Sequence, residues 1–247
     1  MNSLRVRLSQ VLTFLSQNKP DVLALQETKL PDSDFPVKEI EAAGYTAIYS
    51  GQKTYNGVAL LIKNKPHQDL ITDIPTLEDP QRRVIGALIH DIFILNLYVP
   101  NGQSVGSEKY QYKLNWLKHL HDYLVTAIKK YSRVIILGDF NIAPDEIDVH
   151  DPKQWEGQVL FSALERKAFH GLLHIGFQDC FRALHPEKKE YSWWDYRVNA
   201  FKRNMGLRID HILATGSLRC ESCHIDKFLR ADERPSDHAP VVAEFEG

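Results

Sequence analysis

The chain has 247 residues, of which 43% are hydrophobic and 25% are charged, a balance typical of soluble globular proteins. Its 30 Lys and Arg residues nearly balance its 32 Asp and Glu residues, for a net charge of −2. This charge excludes a generally polycationic nucleic-acid-binding protein, but it leaves a local basic face open.

No apolar run is long enough to span a bilayer, so we expect no membrane association. Three cysteines argue against a disulfide framework and for the cytoplasm. With no repeat or linker, residues 1–247 are expected to form a single domain.

Hydrophobic periodicity predicts helices over residues 4–18, 107–130 and 160–169. The first helix should end before Pro20, because proline cannot continue a helix. Short apolar runs predict strands over residues 22–25, 45–49, 58–62, 84–89, 92–97, 134–137, 209–213, 224–229 and 241–245. Hairpins are mixed with long helical crossovers, which predicts an α/β fold with mixed sheets covered by helices.

Polar residues of chemically useful types fall at the ends of these predicted strands. They comprise acids, amides, a tyrosine and a histidine, namely Glu27, Tyr98, Asn101, Asp139, Asn141, Asp210, Asp237 and His238. Strand ends hold their loops rigidly, so functional sites collect there. Carboxylates brought together repel one another unless a cation joins them, and oxygen-only ligation suits Mg²⁺ or Mn²⁺ better than Zn²⁺. The competing interpretation is a set of unrelated surface acids and loop caps.

Six segments resemble, in this order, motifs of the exonuclease III family of DNA-repair nucleases: LQETK (25–29), NLYVPNG (96–102), GDFNIAP (138–144), YSWWDY (191–196), GLRIDH (206–211) and SDHAP (236–240). The resemblance covers essentially the whole chain. It implies a DNase I-like fold: a four-layer α/β sandwich with two mixed β-sheets face to face and helices outside.

The N-terminus departs from the family pattern, which usually begins with a strand ending in Asn-(Val/Ile)-Asn. Met1 stands where a Val or Ile is expected, and only the last Asn of the motif is present, as Asn2. We therefore expect the usual first strand and one metal-site residue to be lacking. A mis-assigned translation start and a real truncation are both open explanations.

The resemblance also implies roles for individual residues. The residues expected to bind the metal are Glu27, Asp237, Asp139 and Asn141. Mg²⁺ is the expected ion, and Mn²⁺ should be able to substitute for it. The expected catalytic residues each have a role. Tyr98 contacts the scissile phosphate, Asp139 aligns or deprotonates the attacking water, and Asn141 holds the phosphate. Asp210 and His238 form a hydrogen-bonded dyad at the phosphate. Which residue acts as the base stays open.

A DNA-binding surface is expected despite the negative net charge, since only the contacting face must be basic. Residues 197–208 contain four Arg or Lys and no acid, and of these we select Arg197, Lys202 and Arg203 for phosphate contact. By resemblance, Asn101 lies near DNA, and Trp193, Leu207 and Ile209 form a pocket for a base-less sugar. Arg82 and Arg83 are weaker candidates for phosphate contact and are interpreted as more typical of plain surface charge.

The resemblance thus implies a Mg²⁺-dependent DNA-repair phosphodiesterase. Such an enzyme cleaves 5′ to abasic sites, removes nucleotides and blocking groups from 3′ ends of duplex DNA, or does both. Its partner would be double-stranded DNA with abasic sites or 3′ ends, and we expect a monomer. The alternative is a non-catalytic nucleic-acid-binding regulator on the same fold.

Overall fold

The computed structural model describes residues 2–231 and 234–246. Its helices are α1 (Leu4–Asn18), α2 (Val37–Ala42), α3 (Glu108–Lys130), α4 (Pro152–Trp155), α5 (Ala163–His174) and α6 (Cys180–Leu184). Its strands are β1 (Val22–Gln26), β2 (Tyr45–Ser50), β3 (Val58–Lys63), β4 (His67–Ile71), β5 (Val84–Ile89), β6 (Ile92–Tyr98), β7 (Arg133–Asp139), β8 (Phe177–Asp179), β9 (Trp193–Trp194), β10 (Gly206–Leu207), β11 (Asp210–Thr215), β12 (Cys220–Ile225) and β13 (Val241–Phe245).

The largest sheet has six strands in the order β4-β5-β6-β7-β11-β8. It is mixed, because β6 and β7 run parallel whereas the other neighbours are antiparallel. A second sheet, β1-β3-β2, is antiparallel, and β12 pairs with β13. The predicted α/β class is confirmed.

Strand β3 shows how the layers are arranged. Its side chains alternate between two buried faces, as expected for a strand covered on both sides. Leu60 and Ile62 pack in one apolar cluster with Ile85 of the six-stranded sheet, whereas Ala59 and Leu61 pack in another with α1 and α2. The two sheets therefore face each other across a shared core, with α1 and α2 outside the smaller sheet.

Helices α3 and α5 form the layer outside the six-stranded sheet. Trp116 and Leu120 of α3 pack with Phe169 of α5 against Phe93 and Leu95 of β6. The order from one side to the other is helix, sheet, sheet, helix, as the four-layer prediction requires.

Two predicted elements are displaced in the structure. The predicted strand at 224–229 is wrong: β12 is Cys220–Ile225, with Cys223 and Ile225 buried, and Phe228–Ala231 forms a 3₁₀ turn. The helix predicted from residue 160 begins later, because Leu160 has a φ of 76°, a left-handed conformation that a helix does not contain.

The described residues contain no strand before α1, and Met1 lies outside them. Strands β1 and β13 each pair on one side only among the described residues. A cavity of about 740 Å³ is lined by both strands, by Val11 and Phe14 of α1, and by Ile135 and Leu137 of β7. It therefore adjoins the edges of two strands and the apolar core.

An extended segment placed in this cavity should stabilise the fold. The N–H of Ser3 donates to the carbonyl oxygen of Glu27, just beyond the end of β1, so a segment fused before Asn2 would start near one end of the cavity. About six residues with alternating apolar side chains should pair with the strand edges and fill the space. We expect the thermal unfolding midpoint, measured by circular dichroism, to rise by several degrees.

The matched control is a segment of equal length with prolines at the pairing positions, which cannot donate backbone hydrogen bonds. Equal unfolding midpoints for the two fusions would contradict the expectation.

Candidate active site

Three neighbouring strands bring polar side chains to one place through their register. Tyr98 of β6 lies opposite Asp139 of β7 in the parallel pair, and Asp210 of β11 lies opposite Asp139 in the antiparallel pair. They project from the same faces of β6, β7 and β11 as Ile94, Leu137 and Ile212. Those three apolar residues all contact the core between the sheets. The three functional groups therefore point toward the smaller sheet.

Glu27 reaches the same place from the smaller sheet, directly after β1. Its carboxylate accepts a hydrogen bond from the Tyr98 hydroxyl and pairs with the Lys29 ammonium at 3.1 Å. Glu27 has a φ of 55°, and a non-glycine residue in this left-handed region is often found at a functional site.

Buried amides fix the distance between the two sheets at this point. The Asn96 side chain, on β6, donates to the carbonyl oxygens of Leu25 and Ala59 at 2.9 Å each, and it accepts from Gln26 Nε2 at 2.7 Å. Because a buried polar group without a partner is destabilising, this network holds β1, and hence Glu27, against β6.

Asn141 holds the Asp139 carboxylate from two directions. Its backbone N–H donates to Asp139 Oδ1 at 2.9 Å and its side-chain Nδ2 donates to Oδ2 at 3.1 Å. The Asn141 Oδ1 atom accepts from Asn101 Nδ2 at 3.1 Å. Asn141 itself is left-handed, with a φ of 50°, which this residue type tolerates better than most.

Asp210 and His238 form the expected dyad. His238 Nδ1 donates to Asp210 Oδ2 at 2.9 Å, and the same carboxylate accepts from Ser192 Oγ at 2.6 Å. The other imidazole nitrogen, Nε2, faces Asp139 Oδ2 at 3.9 Å. Ligand atoms of Asp139, Asp210 and His238 all lie within 4.8 Å of one another.

Burial and charge shift the protonation of these groups strongly. Burial, with help from the carboxylates of Asp210 and Glu27, raises the pKa of Asp139 above its usual range, against the opposing effect of His238. Burial alone would lower the pKa of His238, but Asp210 and Asp139 raise it to about 10. Burial also favours a neutral Glu27, yet the Tyr98 hydrogen bond and the Lys29 ammonium lower its pKa overall.

The donor set fits a divalent cation. Asp139 lies beside two further carboxylates that raise its pKa, and a cation would relieve that repulsion. Of the carboxylates predicted to bind the metal, Asp139 belongs to the group of ligand atoms that lie within 4.8 Å of one another, whereas Glu27 and Asp237 lie outside that group. Asp237 has a buried Oδ1 atom without a hydrogen-bond partner, while its Oδ2 accepts from Trp193 Nε1 at 3.2 Å. Carboxylate oxygens of this kind are the ligands that Mg²⁺ and Mn²⁺ prefer.

The residues selected for the sugar pocket lie together but are packed tightly. Leu207 pairs with Trp193 across the β9–β10 ladder, and Leu207 and Ile209 are 0% and 1% exposed in a cluster with Phe161. Trp193 is half-buried on this cluster, whereas Trp194 is fully buried in the main core. Of these three residues, Trp193 alone has an exposed surface, whereas Leu207 and Ile209 are buried in the cluster.

The basic segment 197–208 divides into exposed and compensated charges. Lys202 and Arg203 are exposed, and Arg197 is exposed but paired with Asp195. Arg208 is 1% exposed and forms buried ion pairs, so it is not available to DNA.

Sequence reasoning missed two residues of the site. Arg83, interpreted as surface charge, lies over the Tyr98 ring at 4.8 Å and donates to the Tyr98 carbonyl oxygen at 3.3 Å. Ser192 orients Asp210 and also accepts from the Asp210 N–H at 3.0 Å. Arg83 directly precedes β5, and Ser192 lies within the YSWWDY segment, but neither position by itself reveals these contacts.

Comparisons with known proteins agree with this arrangement. A family model described as the endonuclease/exonuclease/phosphatase family matches residues 1–238. The chain is 38% identical over 260 residues to exodeoxyribonuclease III of Haemophilus influenzae, covering 99% of this chain and 97% of that one.

Two solved structures superimpose closely. A 3′ phosphatase from Neisseria bound to a product DNA hairpin has a TM-score of 0.98 and 42% identity, and covers 100% of this chain and 96% of its own. An AP endonuclease from Archaeoglobus fulgidus has a TM-score of 0.96 and 40% identity, with the same coverages.

Fold and site together define a hydrolase of phosphodiester bonds. The chain belongs to the endonuclease/exonuclease/phosphatase family, and within it to the exonuclease III family of metal-dependent DNA-repair nucleases. The predicted DNase I-like fold is confirmed. No helix of the described residues is both long and apolar enough to cross a membrane.

Removing the Asp210 charge should change the titration of His238. In metal-free Asp210→Asn protein, the pKa of the imidazole should fall from about 10 to or below its ordinary value, because burial then acts with less opposition. Histidine NMR signals followed against pH measure this shift. Asp91→Asn, at the exposed turn before β6, should leave the His238 titration unchanged, and an unchanged pKa in Asp210→Asn would refute the dyad electrostatics.

Proposed function

We propose that the chain is a Mg²⁺-dependent nuclease that cleaves the DNA backbone 5′ to abasic sites and removes nucleotides and blocking groups from 3′ ends of duplex DNA. The proposal rests on one observation. Glu27 and Tyr98 lie together with Asp139, Asp210 and His238 at one site between the two sheets. The named activities of the similar proteins, an exodeoxyribonuclease III, a 3′ phosphatase and an AP endonuclease, support it. In this proposal residues 1–247 act as one domain and as a cytoplasmic monomer.

The ion would be held by Glu27, Asp139, Asn141 and Asp237, and Mn²⁺ should substitute for Mg²⁺ because both ions prefer oxygen ligands. A bound divalent ion supplies positive charge that stabilises negative charge on the phosphoryl group. The unpartnered Asp237 oxygen and the crowding of carboxylates around Asp139 support this donor set.

The remaining chemistry falls to the chain's own side chains. Asp139, whose Oδ2 faces His238 Nε2 at 3.9 Å, would orient the attacking water and accept its proton as a general base. His238, kept protonated by Asp210, would stabilise charge on the phosphate through Nε2. When the phosphate is bound, the Tyr98 hydroxyl would turn from Glu27, and the Asn141 amide hydrogen that now binds the Val99 carbonyl oxygen would turn as well, to supply hydrogen bonds to the same group.

DNA would lie across the mouth of this site. Lys202 and Arg203 are exposed and would contact backbone phosphates. Arg197 would join them when it is not paired with Asp195. Asn101, bonded to Asn141, would lie beside the strand that is cleaved. The half-buried face of Trp193, supported by Leu207 and Ile209 beneath it, would contact the sugar at an abasic site.

The proposal predicts nicking that depends on metal and on Asp139. The assay uses a duplex with one abasic site and a duplex ending in a 3′ phosphate, with Mg²⁺ or with EDTA. We expect cleavage with Mg²⁺ only, and Asp139→Asn should reduce turnover roughly 10²–10⁴-fold while the protein stays folded.

Asp91→Asn makes the same chemical change at an exposed ion pair and should keep wild-type rates. A folded Asp139→Asn protein with near-normal rates would refute the assigned role. DNA binding without Mg²⁺-dependent cleavage by the wild type would instead support the non-catalytic regulator.

Trp193→Ala tests the proposed sugar contact. Loss of this aromatic surface should reduce abasic-site cleavage roughly tenfold or more, whereas removal of a 3′ phosphate should change less. The ratio of the two rates, measured on the same protein preparation, serves as its own control for folding. An equal loss on both substrates would contradict a role in recognising abasic sugars.

A further inference from the structure

A lysine occupies the buried face of helix α3. Tyr110, Trp116, Leu117 and Leu120 form this face, and Lys113 lies among them with a side chain that is 0% exposed. Lysine is almost never fully buried unless it is paired. The contacts of Lys113 therefore indicate why a charged residue stands where an apolar one would pack.

The Lys113 ammonium uses all three of its N–H donors. It donates to the carbonyl oxygen of Asn141 at 2.7 Å, to the carbonyl oxygen of Asn101 at 3.1 Å and to Glu165 Oε1 at 2.5 Å. Two of its three partners are thus backbone atoms of residues whose side chains lie in the active site.

Glu165 fixes the ammonium from the other side. Its side chain is 0% exposed, and it also accepts from the N–H of Leu160 and from both the N–H and the hydroxyl of Ser162, at 3.0, 3.0 and 2.6 Å. These bonds form the cap at the start of α5. The pair is therefore anchored to two helices. Burial lowers the pKa of Lys113, and the Glu165 carboxylate opposes this effect.

The backbone that Lys113 holds determines where the Asp139 carboxylate points. Asn141 is in the left-handed region, and both its N–H and its side-chain amide donate to Asp139. Asn101 bonds the Asn141 side chain in turn. Releasing the two carbonyl oxygens from Lys113 would free this loop to relax, and the hydrogen bonds to Asp139 would move with it.

We propose that Lys113, with Glu165 as its counter-ion, is a positioning residue for phosphodiester hydrolysis, acting through the Asn101 and Asn141 backbone on Asp139. The proposal rests on the proposed function for the reaction that it affects. Neutral side chains of similar size often replace a buried ion pair without loss of stability, but an apolar residue at position 113 would leave the carbonyl oxygens of Asn101 and Asn141 without this donor.

The test compares the wild type with the double variant Lys113→Met, Glu165→Gln, which removes both charges and preserves side-chain volume. We expect a folded protein whose kcat on abasic and 3′-phosphate duplexes falls roughly 10–100-fold while KM changes little. In metal-free protein without DNA, hydrogen exchange at the Asn141 N–H should become faster. Lys113→Arg, which keeps the charge, should retain more activity than the double variant.

The matched control is Lys118→Met, Asp122→Asn, which removes an exposed ion pair from the same helix and should alter neither kcat nor the exchange rate. A folded double variant with wild-type kcat and unchanged Asn141 exchange would overturn the proposal. Failure of the double variant to fold would also overturn it, because the pair would then be required for the fold itself. If the wild type shows no metal-dependent cleavage, the proposed function fails, and the exchange measurement still decides whether Lys113 holds Asn141.

Discussion

The register of β6, β7 and β11 is the constraint on which the site depends. It places Tyr98, Asp139 and Asp210 side by side on one face, and a slip of one residue would turn any of these side chains to the opposite face. Gly138 helps to fix the pairing, because a Cβ atom there would lie 2.1 Å from the carbonyl oxygen of Leu97. The close approach of β6 and β7 thus requires glycine next to the central aspartate.

A second constraint joins the two sheets. The Asn96 side chain forms hydrogen bonds across the core to β1 and β3. These bonds fix the position of Glu27 opposite Tyr98. The left-handed conformations of Glu27 and Asn141 fit this view, since such backbone persists where the surroundings determine it from several sides. The acidic cluster is therefore built into a rigid frame, and its repulsion is opposed by packing and hydrogen bonds.

Much of this could be predicted from the sequence, because the local signals were strong. Glu27 and Asp139 come at the ends of apolar runs, and strand ends locate such residues without knowledge of the fold. The state of Arg208, the fourth basic residue of segment 197–208, could not be predicted in the same way: its partners Asp148 and Asp179 are distant in the chain, so no local pattern reveals that its charge is buried and paired. The burial of Leu207 and Ile209 likewise depends on residues such as Phe161 that no local pattern connects to them.

The cavity beside β1 and β13 affects how the molecule responds to pressure. Internal space that is lost when a chain unfolds gives unfolding a negative volume change. Hydrostatic compression therefore favours the unfolded state, and this effect grows with the size of the void. Asp210 and His238 line the same cavity, so this space directly borders the dyad of the proposed active site.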